Sequence, residues 1–462
     1  MLNAVVNRWH RPNGYKDVLV LAIPLIVTTS SSGLQSFIDR IFLSWFDSNA
    51  LAATVPAFLV CFTLSAVFMG VASYVSVFVA QYYGSQQLNK IGAVVWQGIY
   101  VAGFSLLVVI PTFFYIDTIF GWIGHDPVLQ VLEVSYARVL ILSVPVAIVS
   151  AALSGFFSGI SRTAVVMWSN LLITVINLVL DYALIFGHWG LPAMGVAGAA
   201  WATVIALSIG TLLQLWIFFQ PNYRQQFKTL KRCFYDKKLF KQLITFGLPA
   251  GIQFQMQSLA WALFVLFIGK IGVVALTAHS IAMNVFMLAV MPIAGMSIAV
   301  SVLVGQCLGR ADSASAEQAT LSAVHIAIVF FMFTGLAMLL SPSWFISPFV
   351  NGMTPSVYLA VVPEVSRLLK LVALLCLFEA VSMMVAGALK GAGDTRFVAW
   401  VAILSNWLVL VLPTALLLYL WGGHLFLSWL FFIGNALLIS LFYILRFKAE
   451  KWKNLRVIDS VT

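Results

Sequence analysis

The second half of this chain of 462 residues repeats the landmarks of the first half. At a shift of 225 residues the aligned pairs are Pro24 and Pro249, Gly70 and Gly295, Gln81 and Gln306, and Gly84 and Gly309. Further along, at a shift of 232, they are Gly155 and Gly387, Gly159 and Gly391, and Thr163 and Thr395. A duplicated chain predicts two similar bundles, and transporters built from such repeats bind substrate and coupling ions near the membrane midplane, where the repeats meet.

The composition requires an apolar solvent. Hydrophobic residues make up 62% of the chain and charged residues only 9%, which is too apolar for a protein in water. Each half contains six apolar stretches of about 20 residues or more, the length that crosses ~30 Å of hydrocarbon as a helix. They lie near 18–44, 50–80, 92–115, 131–154, 163–187, 195–219, 241–268, 275–306, 318–341, 365–388, 397–420 and 425–446. The sequence thus predicts an all-α integral membrane protein with twelve transmembrane helices in two pseudo-symmetric six-helix bundles.

Basic residues divide the chain and orient it. A linker at 224–241 holds seven Lys and Arg residues and separates an amino-terminal lobe, residues 1–223, from a carboxy-terminal lobe, residues 242–462. If both termini are cytoplasmic, the inner segments hold 20 of the 25 Lys and Arg residues, whereas the loops near 188–194 and 421–424 hold none. The positive-inside rule therefore predicts that both termini and the linker lie in the cytoplasm. Orientation and attraction to anionic lipids account for the net charge of +10 without nucleic acid.

Neither the first apolar stretch nor the cysteines indicate processing or a metal site. The first stretch is long, contains Pro24 and opens a repeat, so we interpret it as a retained span rather than a signal peptide. The four cysteines lack the paired spacing of a disulfide framework or a zinc site. We expect no cofactor, and we find no nucleophile paired with a base as an enzyme requires.

Three acids, Asp39, Asp181 and Glu379, lie within apolar sequence. A charged carboxylate near the bilayer centre costs about 2.5–3.5 kcal/mol, so such residues usually face a cavity and carry ions or protons. Asn177 precedes Asp181 by four residues, which places both on one face of the predicted fifth span. If Asp39 shares an apolar pocket with Asp181, a proton, a sodium ion or a cationic ligand would each relieve their repulsion. Ion and ligand would then compete for one site, as an antiporter requires.

A purely structural role stays open for each acid. Asp39 is next to Arg40 and fits an ion pair at the outer membrane edge. Asp181 fits a hydrogen bond that joins two helices, worth about 0.6 kcal/mol. Glu379 aligns with Ala147 at the shift of 232, so no acid repeats it in the first half. The two halves therefore differ in chemistry.

Five segments are distinctive, and they are FIDRIFLSW in the first span, NLVLDYALIFG, GVAGAAWAT, ALTAHSIAMN and GALKGAGDT. Together they resemble the multidrug and toxic compound extrusion (MATE) family, in its bacterial NorM and DinF types. The resemblance covers essentially all twelve predicted spans. It implies a transporter of two six-helix lobes that works by alternating access.

The resemblance also implies roles for residues of the amino-terminal lobe. In the family an acid of the first span, matching Asp39, is needed for transport. In DinF-like members it groups with the residues that match Asn177 and Asp181. A hydroxyl of the sixth span, matching Thr203, completes this proton- or cation-coupling site in some members. A proline that matches Pro24 is where the first helix bends.

The carboxy-terminal lobe departs from the family pattern. NorM-type members carry a Glu in the seventh span, where this chain has Gln257, and usually an Asp in the tenth, where it has Glu379. An amide forms hydrogen bonds but brings no charge. We therefore expect the main coupling site in the amino-terminal lobe and a secondary site at Gln257 and Glu379. Arg138 and Lys370, which align at the shift of 232, receive no role.

We predict a multidrug efflux antiporter of the bacterial inner membrane that exports amphipathic, often cationic compounds. Proton influx is the favoured drive. Sodium bound at Asp39, Asn177 and Asp181 is the alternative, because carboxylate and amide oxygens suit a hard cation. A flippase of lipid-linked sugars is a further alternative, although that function favours a basic cavity and this chain buries acids. The expected partners are drug-like small molecules and membrane lipids, and the expected state is a monomer.

Overall fold

The computed structural model describes residues 8–9, 11–231, 233–350 and 355–458. Every regular element in these ranges is helical. We number the α-helices α1 Tyr15–Phe46, α2 Ser48–Ser73, α3 Val75–Gly84, α4 Leu88–Ile123, α5 Pro127–Leu140, α6 Ser143–Gly159, α7 Thr163–Phe186, α8 Val196–Phe218, α9 Pro221–Phe227, α10 Lys237–Ile271, α11 Val273–Gly309, α12 Ser313–Leu340, α13 Pro342–Val350, α14 Pro355–Ala392, α15 Thr395–Ser405, α16 Leu412–Trp421 and α17 Leu425–Lys448. A π-helix, Asn406–Val411, joins α15 to α16, and a 3₁₀ turn, Lys451–Asn454, follows α17.

The described helices confirm the predicted all-α membrane fold. Eleven helical segments are long and apolar enough to cross a membrane, and the bent pair α5 and α6 is the possible twelfth. The sequence predicts one span at 131–154, whereas the chain bends by 41° between α5 and α6. Pro145 has no N–H to donate to the carbonyl of Ile141. That carbonyl instead accepts a hydrogen bond from Val144 at 3.2 Å, which marks the break.

Packing divides the chain into two compact units. The amino-terminal unit comprises Val27–Ile252, Gly309–Ala311 and Val457–Thr462. The carboxy-terminal unit comprises Met1–Ile26, Gln253–Leu308 and Asp312–Arg456. The chain changes unit within α1 two residues after Pro24, and within α10 three residues after Pro249. Both transitions therefore follow prolines that are aligned in the repeat, and a proline leaves its helix one hydrogen bond short.

Many of the acids serve the helix ends. Four aspartates accept hydrogen bonds from backbone N–H groups two or three residues ahead of them, as N-cap residues do. They are Asp47 before α2, Asp126 before α5, Asp236 before α10 and Asp312 before α12. These carboxylates are committed to local structure, so few acids are left in the interior of the bundles.

An apolar cluster fixes the relative heights of four helices in the amino-terminal unit. Its buried members are Leu43, Ala50, Ile185, Val196 and Ala199, and Phe42, Leu132, Tyr136 and Phe186 pack against it. We call this set the packing cluster. Asp39 lies one turn before Leu43 on α1, and Asp181 lies one turn before Ile185 on α7. Both acids are therefore held at the same level, one turn from the packing cluster.

Glycine allows α2 and α10 to touch. A Cβ atom on Gly70 would lie 2.3 Å from the Cα atom of Gly251. That separation is far below any van der Waals contact, so only a residue without a side chain fits unless a backbone moves. Gly103 on α4 is the opposite case, since a Cβ atom there would meet no described atom within 4 Å.

We expect Gly70→Ala to destabilise the protein by on the order of 1–3 kcal/mol, because the methyl group overpacks two backbones. Gly103→Ala is the matched control and should be neutral or stabilising, since alanine favours a helix by up to about 1 kcal/mol over glycine. The midpoint of thermal unfolding in detergent measures both. Equal midpoints for the two variants would contradict the close contact of α2 and α10.

Candidate functional site

Asp39 of α1 and Asp181 of α7 meet inside the amino-terminal unit, and Asn177 joins them. In the amide orientation that satisfies its neighbours, the Asn177 side-chain nitrogen lies 3.0 Å from Asp39 Oδ1 and 3.2 Å from Asp181 Oδ2. One amide group therefore lies within hydrogen-bonding distance of both carboxyl groups, so the two acids share a single donor. We call Asp39 and Asp181 the acid pair.

The acid pair lies in an apolar setting. Asn177 and Asp181 are completely buried, and Asp39 is half-buried. Asp181 Oδ1 is buried and accepts no hydrogen bond from any described residue. Arg40 is exposed, and no salt bridge joins it to Asp39 within the described ranges. The polar contacts of Asp39 therefore point towards α7 and not towards its neighbour in sequence.

Two further side chains belong to this site and were missed by the sequence analysis. The Asn177 amide lies 2.9 Å from Gln35 Nε2. Gln35 stands four residues before Asp39 on α1, so helical periodicity was a usable signal for it. Tyr136 of α5 packs on the packing cluster, close enough to interact electrostatically with both members of the acid pair. Tyr136 lies on α5, and no spacing in the sequence links α5 to α1 or α7. Only the tertiary packing therefore shows that Tyr136 is near the acid pair.

Thr203 lies at the level of the acid pair but is bonded within its own helix. Its hydroxyl donates to the carbonyl of Ala199 at 3.1 Å. Ala199 and Ile185 share the packing cluster on antiparallel helices, so one turn further along α8 reaches the level of Asp181. Among the described residues, no hydrogen bond joins Thr203 to the acid pair.

The two candidate residues of the carboxy-terminal unit do not contact each other through a hydrogen bond in the described structure. Glu379 of α14 is half-buried, and its Oε2 accepts a hydrogen bond at 3.2 Å from Ser382 of the same helix. Gln257 of α10 is also half-buried. Gln257 and Glu379 are therefore not joined by a shared hydrogen-bond partner in the described structure, whereas Asp39 and Asp181 share the Asn177 amide.

The carboxy-terminal unit instead contains a neutral polar network. Ser405 donates to Asn435 Oδ1 at 2.6 Å, and Asn435 donates to Asn406 Oδ1 at 3.0 Å. All three side chains are buried, and they join the start of the π-helix to α17. Buried amides that satisfy one another stabilise a helix junction without charge.

The atoms of the acid pair that could bind an ion are carboxylate oxygens, which suit a proton or a hard cation such as sodium. No group of three or more His, Cys, Asp or Glu side chains converges as a metal site within the described residues. A sodium ion would thus take its ligands from the carboxylates of Asp39 and Asp181, and the Asn177 amide would have to rotate before its oxygen could join them.

The comparisons with known proteins agree with this architecture. The family model MatE matches twice, over residues 24–183 and 249–416, and the two matches begin at the repeat-mate prolines. The chain belongs to the MatE family. Membership makes it a membrane transporter rather than an enzyme, and the resemblance seen in the sequence is confirmed.

The MATE transporters that are similar to this chain span almost its whole length. A probable multidrug resistance protein NorM of Synechocystis is 28% identical over 399 residues, which cover 85% of each chain. A crystal structure of MATE in the bent conformation has a TM-score of 0.83 at 20% identity, covering 97% of this chain and 98% of that one. One in the straight conformation has a TM-score of 0.84 at 21% identity, covering 95% and 97%. These two structures support the fold.

We expect Asn177→Ala to lower the unfolding midpoint in detergent, because it removes the donor that joins two carboxyl groups. A buried acceptor left without its partner costs about 1–3 kcal/mol. Asn170→Ala is the matched control, since Asn170 is a half-buried asparagine of the same helix whose amide donates only to Val166 at 2.9 Å. A larger loss in the Asn170 variant would contradict the bridging role of Asn177.

Proposed function

We propose that this MATE transporter is a multidrug efflux antiporter in which the acid pair couples proton entry to the export of amphipathic, often cationic compounds. The observation that carries the proposal is the convergence of two carboxyl groups on one buried amide, that of Asn177. Relatives that bear the name multidrug resistance protein NorM support drug-like molecules as cargo.

The acid pair has the chemistry that exchange requires. Two carboxylates that share one amide in an apolar bundle repel each other unless a proton or a cation lies between them. Either species therefore displaces the other, because both relieve the same repulsion. Loss of the proton favours binding of a cationic compound, and proton binding favours its release.

Sodium is the rival coupling ion. The unpartnered Oδ1 atom of Asp181 supports this alternative, since it is a free oxygen ligand beside the acid pair. The orientation of the Asn177 amide favours the proton, because its nitrogen faces both carboxyl groups and its oxygen does not. Coupling by protons is therefore the form of the proposal that we adopt.

Pro24 supplies a bending point that can transmit the change. It lies inside α1, 15 residues before Asp39 and at the point where α1 leaves the carboxy-terminal unit. A proline removes one helical hydrogen bond and eases bending there. Protonation of the acid pair then shifts α1 between two forms to the extent that the two forms bind the proton with different affinity.

The proposed setting is the bacterial inner membrane, with both termini and the basic segment at 224–241 on the cytoplasmic side. The amino-terminal lobe, the basic linker and the carboxy-terminal lobe keep the boundaries 1–223, 224–241 and 242–462 within this proposal. Its partners are drug-like molecules and membrane lipids, and a monomer suffices because the acid pair is formed by one chain.

The test is efflux of ethidium from proteoliposomes of controlled orientation under a proton gradient or a sodium gradient alone. We expect the proton gradient to drive efflux and Asp39→Asn to abolish it, because one carboxylate is lost from the acid pair. Asp117→Asn is the control, since Asp117 pairs with Arg138 at the surface, where ion pairs contribute about 0–1 kcal/mol. Its rate should match the parent.

Efflux driven by sodium alone would replace the proton in this mechanism and retain the acid pair as its binding site. Absence of any gradient-driven efflux in the parent would overturn the multidrug proposal and favour the flippase. Equal loss of efflux in both aspartate variants would show that Asp39→Asn does not report on the acid pair.

We expect Pro24→Ala to slow gradient-driven efflux several-fold, because the new N–H closes the helical hydrogen bond that proline leaves open. Equilibrium binding of ethidium in detergent should change little, since Pro24 lies 15 residues, or about four helical turns, before Asp39. Pro56→Ala in α2 is the control for replacing a proline within a helix. An unchanged rate for Pro24→Ala would contradict the bending role.

A further inference from the structure

A second buried carboxylate lies in the amino-terminal unit, and the acid pair does not use it. Glu133 of α5 has no exposed side-chain surface, and its Oε1 lies 2.7 Å from Nδ1 of His125. Its other oxygen, Oε2, is buried and has no hydrogen-bond partner within the described residues. His125 precedes α5, and 37% of its side chain is exposed. The pair thus joins the surface to the interior of the bundle.

Glu133 lies between the surface and the acid pair. It follows Leu132, which packs against the packing cluster together with Tyr136. The packing cluster also holds Leu43 and Ile185. One helical turn before each of these two residues lies a member of the acid pair. The backbone of Glu133 is therefore about one turn, or about 5.4 Å, from the level of the acid pair.

Tyr136 lies on the same helix within that interval. It stands three residues after Glu133 on α5, so the two side chains are neighbours on the helix surface. It also lies within electrostatic range of Asp39 and Asp181. A hydroxyl group both donates and accepts hydrogen bonds, so it can receive a proton on one side and release one on the other.

Few other titratable groups face this end of α5. It packs against α2, α4 and α8. The sequence of α8 contains no titratable residue, and that of α2 contains only Cys61, whose thiol donates to the carbonyl of Ala137 at 3.6 Å. At this end α4 contributes Tyr115, which is exposed, and Asp117, which pairs with Arg138 at the surface. Asp126 is engaged as the N-cap of α5.

We infer that His125 and Glu133 form the entry half of a proton pathway from the surface to the acid pair. The inference rests on the proposed function, because it presumes that protons reach Asp39 and Asp181. Its location fits proton entry, since under the predicted topology the loop with His125 is on the extracytoplasmic side. The chemistry recognises a proton alone, as Glu133 and His125 are two ligands where a metal site needs more.

The transfer balances at each step. The imidazole ring takes a proton from water at one nitrogen and becomes imidazolium, and its Nδ1–H proton then passes to Glu133 Oε1. This leaves a neutral imidazole and a neutral carboxylic acid. The Glu133 side chain then rotates and turns the proton on Oε1 from His125 towards Tyr136, whose hydroxyl oxygen accepts it while the hydroxyl's own proton passes to the acid pair. Glu133 is again a carboxylate and can accept the next proton from His125.

The pathway requires a group that titrates at position 133, whereas a structural contact requires only a hydrogen bond. Glu133→Gln keeps the size and the hydrogen bond but cannot carry a proton. We expect it to slow proton-driven ethidium efflux several-fold. Equilibrium binding of ethidium in detergent and its dependence on pH should stay as in the parent, because the acid pair is intact.

His125→Ala gives a second, independent test. In detergent, where no gradient exists, stopped-flow fluorescence follows the rate at which ethidium displaces the bound proton. We expect this rate to fall several-fold in His125→Ala and to recover when imidazole is added, because the position of His125 is open to solvent. Imidazole should not restore Glu133→Gln, which lacks the next acceptor. Asp117→Asn should behave as the parent throughout.

Parent-like efflux in Glu133→Gln would overturn the inference. So would a slow His125→Ala variant that imidazole does not restore, since that result indicates a structural contact only. Failure of the proposed function is distinct, because it appears in the parent as absence of proton-driven efflux. If Glu133→Gln does not fold, restoration of His125→Ala by imidazole decides the question alone.

Discussion

Two carboxylates can lie side by side in an apolar bundle only if hydrogen-bond donors and a proton or cation offset their repulsion. Asn177 supplies a donor to both members of the acid pair, and the proposed coupling proton would offset the repulsion that remains. The packing cluster holds α1 and α7 at matching heights, so the two acids meet at one level. The other polar groups of the amino-terminal unit therefore either contact this site or lie away from it.

The positions of the remaining acids show that few carboxylates lie in the interior of the bundles. Asp47, Asp126, Asp236 and Asp312 are engaged as caps at helix starts, and Asp117 pairs with Arg138 at the surface. A carboxylate buried without such an engagement is costly unless it binds a partner. Glu133 is the informative exception, since one of its oxygens has a partner and the other has none among the described residues. A carboxyl group held by one contact can rotate, and rotation after protonation is what the inferred proton pathway requires of Glu133.

Sequence patterns predict what depends on local periodicity and on hydropathy. The spans follow from apolar length, and Asn177 with Asp181 follows from a spacing of four residues on one helix. The bend between α5 and α6 was not predicted, because one proline shifts a hydrogen bond without changing hydropathy. The sequence analysis did not single out Glu133, which lies near the start of the predicted span at 131–154, although its side chain is fully buried. Tyr136 was missed for a related reason, since its place beside the acid pair results from the packing of α5 on other helices.

The repeat preserves the pattern of helices but not the acidic residues. At the shift of 225 Asp39 aligns with Phe264, and at the shift of 232 Asp181 aligns with Pro413, just after the π-helix. Phe264 packs against His279 and Phe432 with ring centroids 5.5 and 5.8 Å apart, so aromatic packing takes the place of a carboxylate there. In the proposed mechanism, two equal acid pairs would each have to be protonated and released in every cycle, and each would add its own cost of burial. A single acid pair, with aromatic packing at the position aligned with Asp39, lets one proton-binding event act on the amino-terminal unit.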